Sequence, residues 1–220
     1  MTGSGLNPSS ARTSSGVRTP ASIAIFKDCH RWRAHQTLFE FHQRRFLTAG
    51  VRLATGGAAV QVAAAYLGAS GIAISADGTA KRGEEGFLLS QADTGVPRSA
   101  ALQGALRDLN PDAIGSRATG CLGELPAAFS GPGPWIAIGG SPKQAALVYR
   151  SEQGCEACFG ESATALGGPP EGVSSVLLGT LSALVYQRLC LTLSSNLGGL
   201  WINSAGRVST MELRRCPRCI

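Results

Sequence analysis

The chain has 220 residues, of which 44% are apolar and 15% charged, with 29 Gly and 11 Pro. That length suits one domain with a sizeable buried core, and the composition excludes a collagen-like or wholly disordered chain. The net charge of +6 is unevenly placed: residues 1–52 hold eight Lys/Arg against two acids, and residues 53–220 hold twelve of each. A basic arm on a neutral body is not the footprint of a nucleic-acid reader, so no nucleic-acid partner is expected.

Residues 1–20 are rich in Ser, Thr, Gly and Pro and cannot bury enough apolar area to order themselves. A disordered tail is expected over 1–22 and a single α/β domain over 23–220. The first 20 residues hold no apolar h-region, and seven cysteines, an odd number, argue against a disulfide framework. A cytoplasmic location is therefore expected. The uncharged stretches 53–76 and 172–187 do not read as membrane spans, the first being broken by Gly and polar residues and the second being shorter than the ~20 apolar residues a span needs. From Cys29 to Phe46, aromatic residues among His and Arg suit one or two short amphipathic helices. His30, His35 and His42 all lie in this arm, no Ser-His-Asp or H-E-x-x-H pattern exists, and no catalytic residue is assigned.

Val51–Ala54 reads as a short strand, Thr55-Gly56-Gly57 as a turn, and Ala58–Leu67 as a helix ending near Gly68 and Gly71. Ile72–Ser75 restarts as a strand, which completes a βαβ unit. Residues 96–109 read as a helix with Pro97 near its first turn, ended by Asn110-Pro111. Trp135–Gly140 is a buried strand, Val173–Leu193 a long core helix, and Leu200–Leu213 a terminal hairpin turning at Gly206. The expected architecture is Rossmann-like: a mostly parallel sheet flanked by helices, with a C-terminal antiparallel hairpin.

Four cysteines form two C-x-x-C pairs, Cys155-Glu-Ala-Cys158 and Cys216-Pro-Arg-Cys219. Such spacing lets both thiolates of a tight turn bind one metal, and two turns complete a tetrahedral sulfur site. Zinc is the default for four thiolates, with an iron–sulfur cluster as the alternative and two independent redox or inert pairs as the plainer reading. The 57 residues between the pairs exceed a zinc-ribbon spacing, so tertiary structure must bring them together. A closed tetrathiolate site has no open position and is structural.

These landmarks, in this order, resemble the ThiF/MoeB/HesA family, bacterial relatives of ubiquitin-activating enzymes. The best matches are Ala63–Ile72 and Ala92–Asp112, followed by the two C-x-x-C pairs and the long helix that starts at Gly172-Val173. The resemblance implies an α/β nucleotide-binding fold, usually homodimeric, that adenylates the C-terminal glycine of a ubiquitin-like sulfur carrier with Mg-ATP. The family's glycine loop, G-x-G-G-x-G, falls on Thr55–Val60, so Gly56 and Gly57 are the implied nucleotide-binding glycines. Asp77 takes the ribose-holding acidic position, and Arg98, in Asp93-Thr94-Gly95-Val96-Pro97-Arg98, the position of a phosphate-contacting Lys. The motif whose Arg contacts phosphate falls on Arg82–Gly86 and carries Glu85 instead. The magnesium-binding Asp after the next strand falls at about Gly139 and is absent. Arg31-Trp32-Arg33 is a loose counterpart of a further Arg motif.

Keeping a zinc site while losing the metal carboxylate and the phosphate Arg reads as a pseudoenzyme: a scaffold for a ubiquitin-like or sulfur-carrier protein, or for a precursor peptide and its modifying enzyme. The alternative is an active adenylyltransferase with a remodelled site, in which Arg98, Asp77, Asp93 and the Arg31–Arg33 arm carry the nucleotide and Glu84 or Glu85 holds magnesium. A third option is an unrelated α/β protein such as a dinucleotide-dependent reductase, or a zinc protein with other partners, although G-x-G-x-x-G is not present at residues 55–60.

Overall fold

The computed structural model describes residues 44–45, 48–111, 115, 118–141, 144–191, 197–203 and 205–219. The tail 1–22, Arg31-Trp32-Arg33, Cys29 and the three histidines lie outside these residues. The elements run β1 (Gly50–Leu53), α1 (Ala58–Ala69), β2 (Ala73–Ala76), a 3-10 turn (Gln91–Asp93), α2 (Arg98–Leu109), β3 (Cys121–Glu124), β4 (Trp135–Ser141), β5 (Gln144–Arg150), α3 (Glu156–Ala163), α4 (Val173–Leu191), β6 (Leu197–Asn203) and β7 (Val208–Thr210).

The seven strands among the described residues form one sheet in the order β2-β1-β3-β4-β5-β6-β7. The four strands β2-β1-β3-β4 are mutually parallel. From β4 onward the pairing is antiparallel, so the C-terminal meander includes β5 as well as the hairpin. Side chains alternate between the two faces, as the pleat requires. Ile136, Ile138 and Leu147 join Val51, Leu53 and Leu122 on the face covered by α1, α2 and α4. Trp135, Ala137, Ala146 and Val148 point the other way, onto Phe159 and Ala163 of α3 and onto Leu166. β3, β5 and α3 are elements the sequence reading left unassigned.

Helix α1 is an almost featureless apolar segment (AAVQVAAAYLGA), and it lies in the interior against α4. The two helices come close at Gly179, where an added Cβ would sit 2.5 Å from the Ala59 carbonyl oxygen and 2.6 Å from the Val62 Cβ. Helix α4 is long and apolar enough to cross a membrane by composition, but here it packs on α1, β4 and β5. Its Tyr186 is fully buried and donates from its hydroxyl to the Gly50 carbonyl at 2.6 Å, fixing the start of β1. Replacing Gly179 with Ala forces the helices apart and is expected to cost about 1–3 kcal/mol, as overpacking of a tight core does; urea unfolding of the variant beside the natural chain checks this.

Candidate functional site

In an open parallel sheet, ligands bind beyond the strand C-termini at the point where the strand order reverses. Here the chain leaves β1 for β2 on one side and later returns to lay β3 on the other. The crevice therefore opens between the ends of β1 and β3, where the turn Thr55-Gly56-Gly57 leads into α1. Gly56, Gly57, Asp77 and Arg98 all meet here. Asp77 follows β2, and Arg98 opens α2, with its backbone N–H donating to the Gly78 carbonyl.

Gly139 does not reach the crevice. It lies on β4, one strand further out, where an added Cβ would sit 2.7 Å from the Leu166 Cβ. The strand next to β1 is β3, and its last residue is Glu124. So the strand end that borders the glycine turn carries a carboxylate after all. It is glutamate, and its role is internal: Oε1 accepts the first-turn N–H groups of Ala59 at 2.6 Å and Val60 at 3.2 Å. Burial raises the Glu124 pKa, the two N–H groups oppose that, and nearby Glu84 adds to it.

Glu84, rather than the expected Glu85, is the acidic residue that enters the site. Glu85 is exposed and folds back to accept the Gly83 N–H at 2.7 Å. The Glu84 carboxylate takes Arg98 Nη2 at 2.8 and 3.0 Å, Arg98 Nε at 3.3 Å, the Lys81 N–H at 3.0 Å and the Gly56 N–H at 3.3 Å. Arg98 is 4% exposed and also donates to the Asp77 and Thr79 carbonyl oxygens. Its guanidinium is thus engaged on every side by this chain. Asp77 is partnered as well: its carboxylate pairs with Arg52, which also donates to Ser130 and to the Cys121 sulfur.

Gln61, buried on α1, holds the connecting loop in place. Its amide donates to the Gly56 and Glu84 carbonyls, and its oxygen accepts the N–H groups of Leu88 and Leu89 at 2.8 and 3.1 Å. In the sequence this Gln counts only as a polar break in the apolar stretch 53–76, although a lone Gln in an apolar helix is the kind of buried polar group that must find partners.

At the far part of the sheet, the two C-x-x-C pairs come together. The sulfurs of Cys155, Cys158, Cys216 and Cys219 lie within 4.8 Å of one another. An ideal zinc tetrathiolate with bonds of about 2.3 Å places its sulfurs about 3.8 Å apart, and Cys155 and Cys216 are 3.7 Å apart. The donor set and its spacing fit a metal ion. The first pair is presented by α3, with Cys155 at its N-cap. Arg150 steadies the loop before it: the guanidinium lies 3.7 Å over the Trp135 ring, donates to Gly154 O at 2.9 Å and pairs with Glu156 at 2.9 Å. The second pair is drawn in by Ser162, which exchanges hydrogen bonds with the Arg214 backbone, and by the Cys216 N–H, which reaches Cys158 Sγ at 3.2 Å. The Cys155 thiol is held down at about 6, chiefly by the Cys158 backbone N–H and by the neighbouring thiols.

No family model matches the sequence, and no curated protein matches it. Solved structures do match the fold. E. coli MccB with succinimide aligns at a TM-score of 0.60 and 15% identity, over 84% of this chain and 73% of MccB. PaaA aligns at 0.58 and 13% identity, over 90% of this chain and 85% of PaaA. The microcin C7 biosynthetic enzyme MccB in complex with N-formylated MccA aligns at 0.57 and 14%, over 88% of this chain and 75% of that one. The chain shares the fold of MccB and PaaA.

The resemblance implies Mg-ATP, but the crevice residues do not fit it. A nucleotide phosphate needs free N–H groups at the helix start and an unpaired cation. The N–H groups of Ala59 and Val60 face Glu124, the Gly56 N–H faces Glu84, and Arg98 is closed by Glu84. Two carboxylates occupy the space where phosphate charge would be stabilised. Breaking the buried Arg98–Glu84 pair leaves an uncompensated charge, so Arg98→Met is expected to lose about 3–5 kcal/mol of stability, and adding Glu84→Leu to recover most of it. Chemical denaturation of the single and double variants checks both values.

Proposed function

We propose that this chain is a binding partner rather than an adenylating enzyme: it engages a precursor peptide or a carrier protein in peptide modification or sulfur transfer, and its nucleotide crevice does not turn over. The observation that carries the reading is the Arg98–Glu84 pair, which neutralises the one deeply placed cation of the crevice among the described residues. The fold supports a peptide or carrier as the partner class, since MccB, which shares it, is held in complex with MccA. The chain acts in a reducing, cytoplasmic setting and pairs with a second copy of itself, as the fold's relatives usually do.

A second reading, an active adenylyltransferase, draws on the convergence of Arg98 and Asp77 at the crevice. It requires ATP to displace Glu84 and Glu124 together. Calorimetric titration with Mg-ATP and an ATP–pyrophosphate exchange assay separate the two. The binding-partner reading expects neither heat nor exchange up to millimolar nucleotide, with or without a carrier peptide. Steady exchange would overturn it.

The cysteine cluster holds a structural zinc ion that ties the C-terminus to α3 and does no chemistry. One zinc per chain by atomic emission is expected, falling to well under half with Cys219→Ser. Removal with a chelator should lower the melting temperature and release the segment after β7 to proteolysis. A coloured, iron-containing preparation would replace zinc with a cluster.

A further inference from the structure

The binding-partner reading leaves open what holds the glycine turn in shape without a nucleotide. Helix α1 has no acidic residue in its first turn, and its N-cap, Gly57, offers no side-chain oxygen. A 12-residue buried helix with bare N–H groups at its start is an incomplete structure, because the orphan donors and the positive end of the helix dipole both call for an anion. We propose that Glu124 is the resident anion of this turn: its carboxylate, brought from 65 residues away, takes the place that a phosphate takes in nucleotide-binding relatives of the fold.

Four observations converge on Glu124. Its Oε1 bridges the Ala59 and Val60 N–H groups in the manner of a bound oxyanion. The residue is 6% exposed, and among the described residues its carboxylate makes no ion pair, so the helix terminus is what stabilises it. Gly57 is what lets it in, since a Cβ there would overlap the carboxylate. Its own backbone N–H donates to Thr55 Oγ1 at 2.9 Å, so the same residue grips the turn at both ends. Glu84 closes the neighbouring position, where a Cβ on Gly56 would lie 2.5 Å from its Oε2. The turn is therefore held by the chain's own carboxylates. This deepens the preceding reading and rests on it for its biological meaning.

Chemical rescue tests the assignment. Glu124→Ala removes the carboxylate and leaves a small cavity facing the two N–H groups. The variant should melt below the natural chain in chloride and regain about 2–4 °C with saturable dependence on formate or inorganic phosphate at matched ionic strength. The natural chain should show no such gain. Glu124→Gln, which keeps an acceptor in place, should lose less stability and respond to neither anion. Where the alanine variant does not fold in chloride, recovery on refolding in formate or phosphate supports the proposal, and no recovery overturns it. Absence of rescue in a folded variant, or an equal anion response in the natural chain, also overturns it. That outcome leaves the non-adenylating reading standing, whereas pyrophosphate exchange by the natural chain removes that reading without bearing on rescue.

Discussion

The start of a buried helix must be paired, and in this molecule that requirement organises the whole crevice. The first-turn N–H groups of α1 are met by Glu124 at the end of β3, so β3 and α1 share one polar junction. A buried carboxylate is costly unless something offsets its charge, and a helix terminus supplies the equivalent of about half a unit of positive charge at short range. With that junction in place, Thr55 caps the Glu124 N–H, Gln61 pins the loop above, and Glu84 is brought onto Arg98. The Glu124 Oε1, the Glu84 carboxylate, the Arg98 guanidinium and the Gln61 amide are each bonded to other parts of the same chain. An incoming nucleotide would have to break several of these bonds at once, with two negative charges already in its way.

The two halves of the sheet carry different duties. The parallel half, β2-β1-β3-β4, makes the crevice, while the antiparallel half positions the cysteines. The junction between them is β4, which presents Ile136 and Ile138 to one core and Trp135 and Ala137 to the other. Trp135 also carries Arg150, and Arg150 holds the loop that leads to Cys155. A metal ion in the cysteine cluster would therefore stiffen the antiparallel half and the second face of the sheet without touching the crevice. The cysteine cluster and the candidate site lie in different halves of the sheet.

Much of this was legible in the sequence because it rests on local signals. The helix formers of α1 after a glycine turn, the apolar run of Trp135–Ile138 and the paired C-x-x-C spacings each stand out within a few residues. β3 was missed because it is four residues long with a glycine inside it, and Cys121-Leu122-Gly123-Glu124 has little β propensity of its own. Overlooking it shifted the strand count by one and put the acidic position on Gly139 instead of Glu124. The turn signals on either side, Gly120 before it and Pro126 after it, were the available clue. The choice of Glu84 over Glu85 was not legible at all. Adjacent residues in a loop face different ways, and only the path fixed by Gln61 decides which one meets Arg98.

The glycines of the turn deserve a different weight from the one a motif gives them. Gly57 is commonly read as room for a phosphate, but here a side chain at that position would overlap the Glu124 carboxylate. The same lack of a Cβ is needed whether the anion is a ligand or part of the protein. A glycine turn before a helix therefore reports that some anion sits close to the backbone, and it does not report which one. What discriminates the two cases is the residue that ends the adjacent strand and the partner of the nearest buried cation. A short or neutral strand end beside a free Arg or Lys leaves the helix terminus open to phosphate. A glutamate that reaches the helix start, beside an Arg already closed by a second glutamate, fills that place with the protein's own charge.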